Sequence, residues 1–151
     1  VESLRHIHLE GHAYFVTTNV YKKQKLFSNP QIADTALSAL FFLREETYYR
    51  LHSFVIMPDH LHMIIIPQES KTVSQILHSL KSYTAKKIND LLGRKGKVWQ
   101  GGFYERIIRT EHDLREKASY LETNPVRAKL VEDPETYLFS SAHCREKMDY
   151  F

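Results

Sequence analysis

The stretch at 54–66, FVIMPDHLHMIII, sets two histidines at alternate positions in what otherwise reads as a strand. Side chains at i and i+2 of a strand share a face, so His60 and His62 project together while Leu61 and Met63 point the other way. Ile64, Ile65 and Ile66 continue the run without a polar face, the pattern of a central strand covered on both sides. Met57-Pro58-Asp59-His60 has proline where a tight turn favours it, so Tyr48 to Met57 is expected to fold back as a hairpin onto the histidine strand. Two imidazoles on one face suit either of two roles: core histidines satisfied by hydrogen bonds, or joint ligands of one metal ion.

Outward from this hairpin, β-branched and aromatic residues from His12 to Val20 read as a first strand, and Lys22, Lys23 and Lys25 mark an exposed connection. Asn29 before Pro30 is a helix start, followed by Ile32, Ala36, Leu37, Leu40 and Leu43 at helical spacing. Beyond the histidine strand, Thr72 and Gln75 form a capping-box pattern for a second helix that runs to Leu92, with Gly93 as its C-cap. Tyr83 falls at the edge of that helix's apolar stripe, between core and solvent. A connection from Gly93 to Gly102 contains Trp99 and leads into a fourth strand, Phe103 to Arg109. Thr110 and Asp113 cap a third helix, expected to end before Asn124-Pro125, and the tail from Val131 is turn-rich. His6 and His8 repeat the His-x-His spacing without an apolar strand behind them and read as surface residues. The order strand, helix, strand, strand, helix, strand predicts an α+β, ferredoxin-like split βαβ fold. In it the histidine strand is central to an antiparallel sheet, helices pack on that sheet, and the second helix is expected to bring Tyr83 towards His60 and His62.

Residues 1–151, of which 42% are hydrophobic, suffice for one domain and are few for two. The single cysteine, Cys144, excludes an internal disulfide framework and a multi-cysteine zinc site, and fits a reducing compartment. No apolar run approaches the roughly 18 to 20 residues needed to span a bilayer, and no signal-peptide layout opens the chain, so a cytoplasmic protein without a membrane partner is expected. The net charge is only +3, yet between Lys71 and Arg109 nine Lys or Arg face two acids, which leaves the remainder of the chain acidic. Basic charge confined to one stretch suits a phosphate-binding surface. Lys81, Lys86, Lys87, Arg94, Lys95 and Lys97 are its candidate DNA contacts. Trp99 and Phe103 suit either base stacking or core packing, Arg127 is a candidate phosphate contact, and His112 is expected to be exposed.

Two imidazoles sharing a metal, a tyrosine on a facing helix and a basic stretch around it make a coherent phosphoryl-transfer site. In order, the chain carries AYFVTTNVYKKQKLF, MPDHLHMII, LKSYTAKKINDLLG, VWQGGFYERIIR and YLETNPVRAKLVEDPETYLFSSA. With these blocks it resembles the HUH single-tyrosine transposases of insertion sequences, in particular their REP-associated tyrosine transposase branch. The resemblance implies His60 and His62 as the motif's metal ligands, Tyr83 as the nucleophile and Mg2+ or Mn2+ as the cofactor. It also implies cleavage and rejoining of single-stranded DNA beside a hairpin, through a 5′-phosphotyrosine and a free 3′-hydroxyl, and a possible homodimer with tyrosines in cis or in trans. Many members carry a glutamine one helical turn after the tyrosine as a further ligand. Lys87 stands there after Tyr83, which leaves Asn89 and Glu105 as candidate third ligands. Two other readings stay open: a non-catalytic nucleic-acid-binding module on the same fold, and a metal-dependent phosphodiester hydrolase in which water is the nucleophile.

Overall fold

The computed structural model describes residues 11–68 and 70–151; His6 and His8 lie outside the described residues. Four strands, β1 (Ala13–Asn19), β2 (Tyr49–Met57), β3 (His60–Pro67) and β4 (Tyr104–Ile108), form one antiparallel sheet in the order β2-β3-β1-β4. With helices α1 (Pro30–Glu45) between β1 and β2, α2 (Val73–Leu92) between β3 and β4, and α3 (Glu111–Arg127) after β4, this is the ferredoxin-like arrangement that the element order predicts. The predicted strand boundaries hold to within a residue. Both expected caps of α2 are present: Thr72 and Gln75 exchange capping-box hydrogen bonds, and Gly93 ends the helix in the left-handed region.

The sheet is covered on both faces, and the faces are chemically distinct. On one, Val16, Leu61, Met63 and Ile65 pack with Ile32, Leu40 and Leu43 of α1 and with Ile76, Leu77, Leu80 and Ile88 of α2. On the other, Phe15, Val55, Met57, Ile64, Ile66 and Ile108 pack with Leu114, Ala118 and Leu121 of α3. The alternation of β3 therefore sends Leu61, Met63 and Ile65 to the α1–α2 layer, and His60 and His62 to the α3 side.

Two predicted features change. First, α3 does not stop before Asn124; it runs through Pro125 to Arg127. Proline lacks an N–H but keeps its carbonyl. The helix continues past it for a turn because Ala128 N–H still reaches the Asn124 carbonyl (2.9 Å) and Leu130 N–H the Pro125 carbonyl (2.9 Å). Second, the turn-rich tail gains partners in the sheet. Ile56 N–H donates to the Phe139 carbonyl (2.8 Å) and Ser141 N–H to the Phe54 carbonyl (2.9 Å), so the tail covers the outer edge of β2. Asp149 then accepts from the Leu51 N–H and from both Nε and Nη2 of Arg44, at 2.8–2.9 Å. The guanidinium outweighs the cost of burial and holds the Asp149 carboxyl below the usual carboxylate range.

Met63 is fully buried against the α1–α2 layer, whereas Tyr83 is 47% exposed. Met63→Ala should therefore cost about 2–5 kcal/mol of stability, and Tyr83→Ala under about 1 kcal/mol, as measured by denaturant titration.

Candidate functional site

His60 opens β3 immediately after the Pro58-Asp59 turn, and its Nδ1 is 2.6 Å from Asp59 Oδ1. An ionised carboxylate only accepts, so Nδ1 carries the proton and donates it to Asp59, leaving the Nε2 lone pair free. His62 Nδ1 lies 2.8 Å from Thr17 Oγ1, across the β1–β3 pairing. When that Nδ1 donates to the hydroxyl, the Nε2 of His62 is free as well. The two rings are 4.7 Å apart, centroid to centroid.

Both histidines are held neutral. Burial pushes His62 down to about 3, helped by the charges of His60, Arg127 and Lys23. Burial also lowers His60, against the opposing pull of Asp59. For Asp59 itself, burial is outweighed by its hydrogen bond to His60 and by Lys23, whose Nζ is 3.7 Å away, so its carboxyl stays below the usual range.

The side chains that meet these histidines come from α3. The Tyr120 ring lies 5.8 Å from His62 and 6.3 Å from Phe15, and the residue is 51% exposed. One helical turn further on, Asn124 places Nδ2 3.4 Å from His60 Nε2. Turning that amide over offers Oδ1 instead, an exchange that leaves the side-chain shape unchanged. Among the described residues no three His, Cys, Asp or Glu side chains gather as a metal site. Two imidazole nitrogens and an amide oxygen nonetheless supply a donor set suited to a divalent ion, whose remaining positions substrate oxygens and waters can fill. The donor chemistry thus fits the expected cofactor.

This geometry corrects the placement of Tyr83. Because α2 packs on the Leu61 side of β3, Tyr83 lies across the sheet from His60 and His62; its ring stacks on Phe42 of α1 at 6.4 Å, with Lys87 Nζ 5.7 Å from its centroid. Asn89, on the same helix, donates to the Gly96 carbonyl at 3.0 Å. Glu105 pairs with Val16, which faces the α1–α2 layer, so neither candidate third ligand reaches the histidines.

The basic stretch lies along α2, the helix that carries Tyr83, and the loop that follows it. Lys86 and Lys87 are exposed on α2, and Lys81 ties that helix to the following loop through the Gln100 and Gly102 carbonyls, at 3.0 and 2.5 Å. Arg94 donates to the Lys97 carbonyl (2.9 Å), and Lys95 is exposed. Lys97 Nζ is 5.6 Å from the Tyr21 ring, with Lys22 Nζ at 5.4 Å. Trp99 is buried, with Nε1 donating to Thr84 Oγ1 at 2.9 Å and its ring on Phe27, so it packs the core. His112 is exposed, as expected.

A missed signal lay in YLETN: a tyrosine and an amide four residues apart occupy one helical face, and Asn124 is the shorter amide homologue of glutamine. Expecting the helix to end before Asn124 hid the pairing.

The comparisons with known proteins agree with this architecture. The family model described as IS200-like transposase matches residues 8–124. The REP-associated tyrosine transposase of Escherichia coli K12 is 24% identical over 140 residues, which cover 92% of this chain and 81% of that protein. A putative REP-associated tyrosine transposase of Haemophilus influenzae is 24% identical over 152 residues, 94% of this chain and 86% of that protein. Among solved structures, a REP-associated tyrosine transposase bound to a REP hairpin superposes with a TM-score of 0.73 at 24% identity, covering 89% of this chain and 79% of that one. A putative transposase from Deinococcus radiodurans R1 gives a TM-score of 0.55 at 15% identity, covering 74% and 88%. The chain belongs to the IS200-like transposase family.

The buried neutral histidines predict the pH dependence of stability in the metal-free protein. Below about pH 6.5 the unfolded chain takes up a proton that folded His62 refuses until about pH 3, so stability is full above that window and falls with pH at up to about 1.4 kcal/mol per unit. His52, pushed down to about 4 by burial, adds to the same slope. Thermal melts of His62→Gln between pH 7 and 4 should give a shallower slope than the wild-type protein.

Proposed function

We propose that this transposase cleaves and rejoins single-stranded DNA through a covalent phosphotyrosine formed on Tyr120. The observation that carries the reading is the convergence of α3 and β3: Tyr120 packs on His62, and Asn124, one turn on, reaches His60. His60, His62 and Asn124 would hold the divalent ion, Mg2+ or Mn2+, and when bound it supplies Lewis-acid polarisation of a phosphate oxygen.

The chain's own residues then divide the work. Asp59 and Thr17 fix the imidazole rings and leave their Nε2 atoms facing the site. The half-exposed Tyr120 presents its hydroxyl at the rim, where a flexible strand has access. Its oxygen attacks phosphorus, the bond to the upstream 3′ oxygen breaks, and the downstream strand stays attached by its 5′ phosphate. The phosphotyrosine keeps a phosphodiester's free energy, so a second 3′-hydroxyl can reverse the step and join strands without an external energy source. A hairpin as the DNA partner is supported by the REP hairpin bound to the solved relative. Tyr120 and the histidines meet within one chain, so the geometry favours a tyrosine acting in cis even if the protein dimerises.

Tyr120→Phe keeps the ring on His62 and loses only the hydroxyl. It should abolish cleavage of a hairpin-flanked single-stranded oligonucleotide, and the denaturation-resistant protein–DNA adduct with it, while Tyr83→Phe keeps both near the wild-type level. Loss of the adduct in Tyr83→Phe with retention in Tyr120→Phe would reverse the assignment. Free 5′ ends with no adduct in the wild-type protein would favour water as the nucleophile.

A further inference from the structure

Arg127 lies two turns beyond Tyr120 on α3, and its guanidinium carbon is 4.4 Å from the centroid of the Tyr120 ring. Nη2 donates to the Tyr120 carbonyl at 2.6 Å, and Nη1 donates to the Thr123 hydroxyl. A guanidinium has five N–H donors, so donors remain after these two bonds. Arg127 is also uncompensated. Arg115 and Arg145 pair with Glu111 and Glu122, and Lys23 with Asp59, whereas among the described residues no carboxylate pairs with Arg127. Stacking and two hydrogen bonds thus hold a permanent cation with spare donors against one side chain.

We infer that Arg127 is a catalytic residue of the Tyr120 site, whose free guanidinium donors bind a non-bridging oxygen of the scissile phosphodiester and of the phosphotyrosine that replaces it. The inference rests on the reading of Tyr120 as nucleophile. As the phenolic oxygen bonds to phosphorus, its proton passes to water. The bond to the 3′ oxygen breaks, and that oxygen takes up a proton to leave as a hydroxyl. The phosphoryl group carries one negative charge before and after the step and an additional one between, and that transient charge is what a fixed cation favours. A phosphate joined to the Tyr120 oxygen is carried on the ring against which this guanidinium is held.

The test compares wild-type protein, Arg127→Ala and Arg127→Lys on two hairpin-flanked oligonucleotides. One carries an ordinary scissile phosphate, the other a neutral methylphosphonate at that position. On the ordinary substrate Arg127→Ala should slow adduct formation about 100-fold or more, and lysine should restore part of the rate. On the methylphosphonate, which has no charge for the guanidinium to meet, the difference between wild-type protein and Arg127→Ala should shrink to a few-fold. Arg127 also ties down the last turn of α3, so melting curves accompany the rates; should the alanine variant unfold, Arg127→Gln, which keeps a donor on that turn, takes its place. Equal wild-type and variant rates on the ordinary substrate, with an adduct at Tyr120, would overturn the inference and leave the proposed function standing. So would an equal loss on both substrates, the mark of a merely structural role. Absence of any wild-type adduct at Tyr120 would overturn both.

Discussion

Strand β3 is apolar on both faces, so hydrophobic patterning alone does not say which of its residues belong to which layer. What fixes them is the two-residue turn at Pro58-Asp59 and the pairing it enforces, Met57 with His60 and Val55 with His62. A slip of one residue would exchange the faces, driving two imidazoles into the α1–α2 core and turning Leu61 and Met63 towards α3. The turn is itself held from outside the hairpin: Val20 N–H donates to the Asp59 carbonyl and Phe27 N–H to that of Pro58, at 2.9 and 3.0 Å. The segment after β1 therefore secures the register that creates the site.

Given that register, the electrostatics follow from what surrounds the rings. His62 is nine-tenths buried and faces aromatic surface from Phe15 and Tyr120, which favours the neutral imidazole. His60 is less buried and has a carboxylate on Nδ1, which fixes its tautomer without charging it at neutral pH. Positive charge enters from Lys23 and Arg127, one on the β1 side and one on α3. Lone pairs thus face a space whose rim is cationic, an arrangement that suits a metal ion and a phosphodiester together.

Much of this was legible in the sequence and some was not. The element order, the hairpin, the α2 caps and the pairing of His60 with His62 depend on near neighbours or on strict periods, so residue types disclose them. The face of the sheet on which a helix packs is a long-range property. Tyr83 and Tyr120 each sit on an amphipathic helix after a strand, and only the path of the chain through β4 puts α3, and not α2, over the histidines. The cationic residues from Lys81 to Lys97 illustrate the same point: clustered in sequence, they are distributed along α2 and the loop behind it. Asn124 was obscured by a local rule, since Asn-Pro ordinarily ends a helix; here one further turn continues past the proline.

Paramagnetic relaxation by bound Mn2+ addresses the central claim, that β3 and α3 together form the metal centre, without relying on catalysis. Titrating Mn2+ into isotopically labelled protein should broaden the His60, His62, Asn124 and Tyr120 side-chain resonances first and most strongly, with Tyr83 and Asn89, on the other side of the sheet, responding later and less. Asn124→Ala should weaken the effect at every position. Broadening centred on α2, or unchanged by the loss of Asn124, would contradict the account.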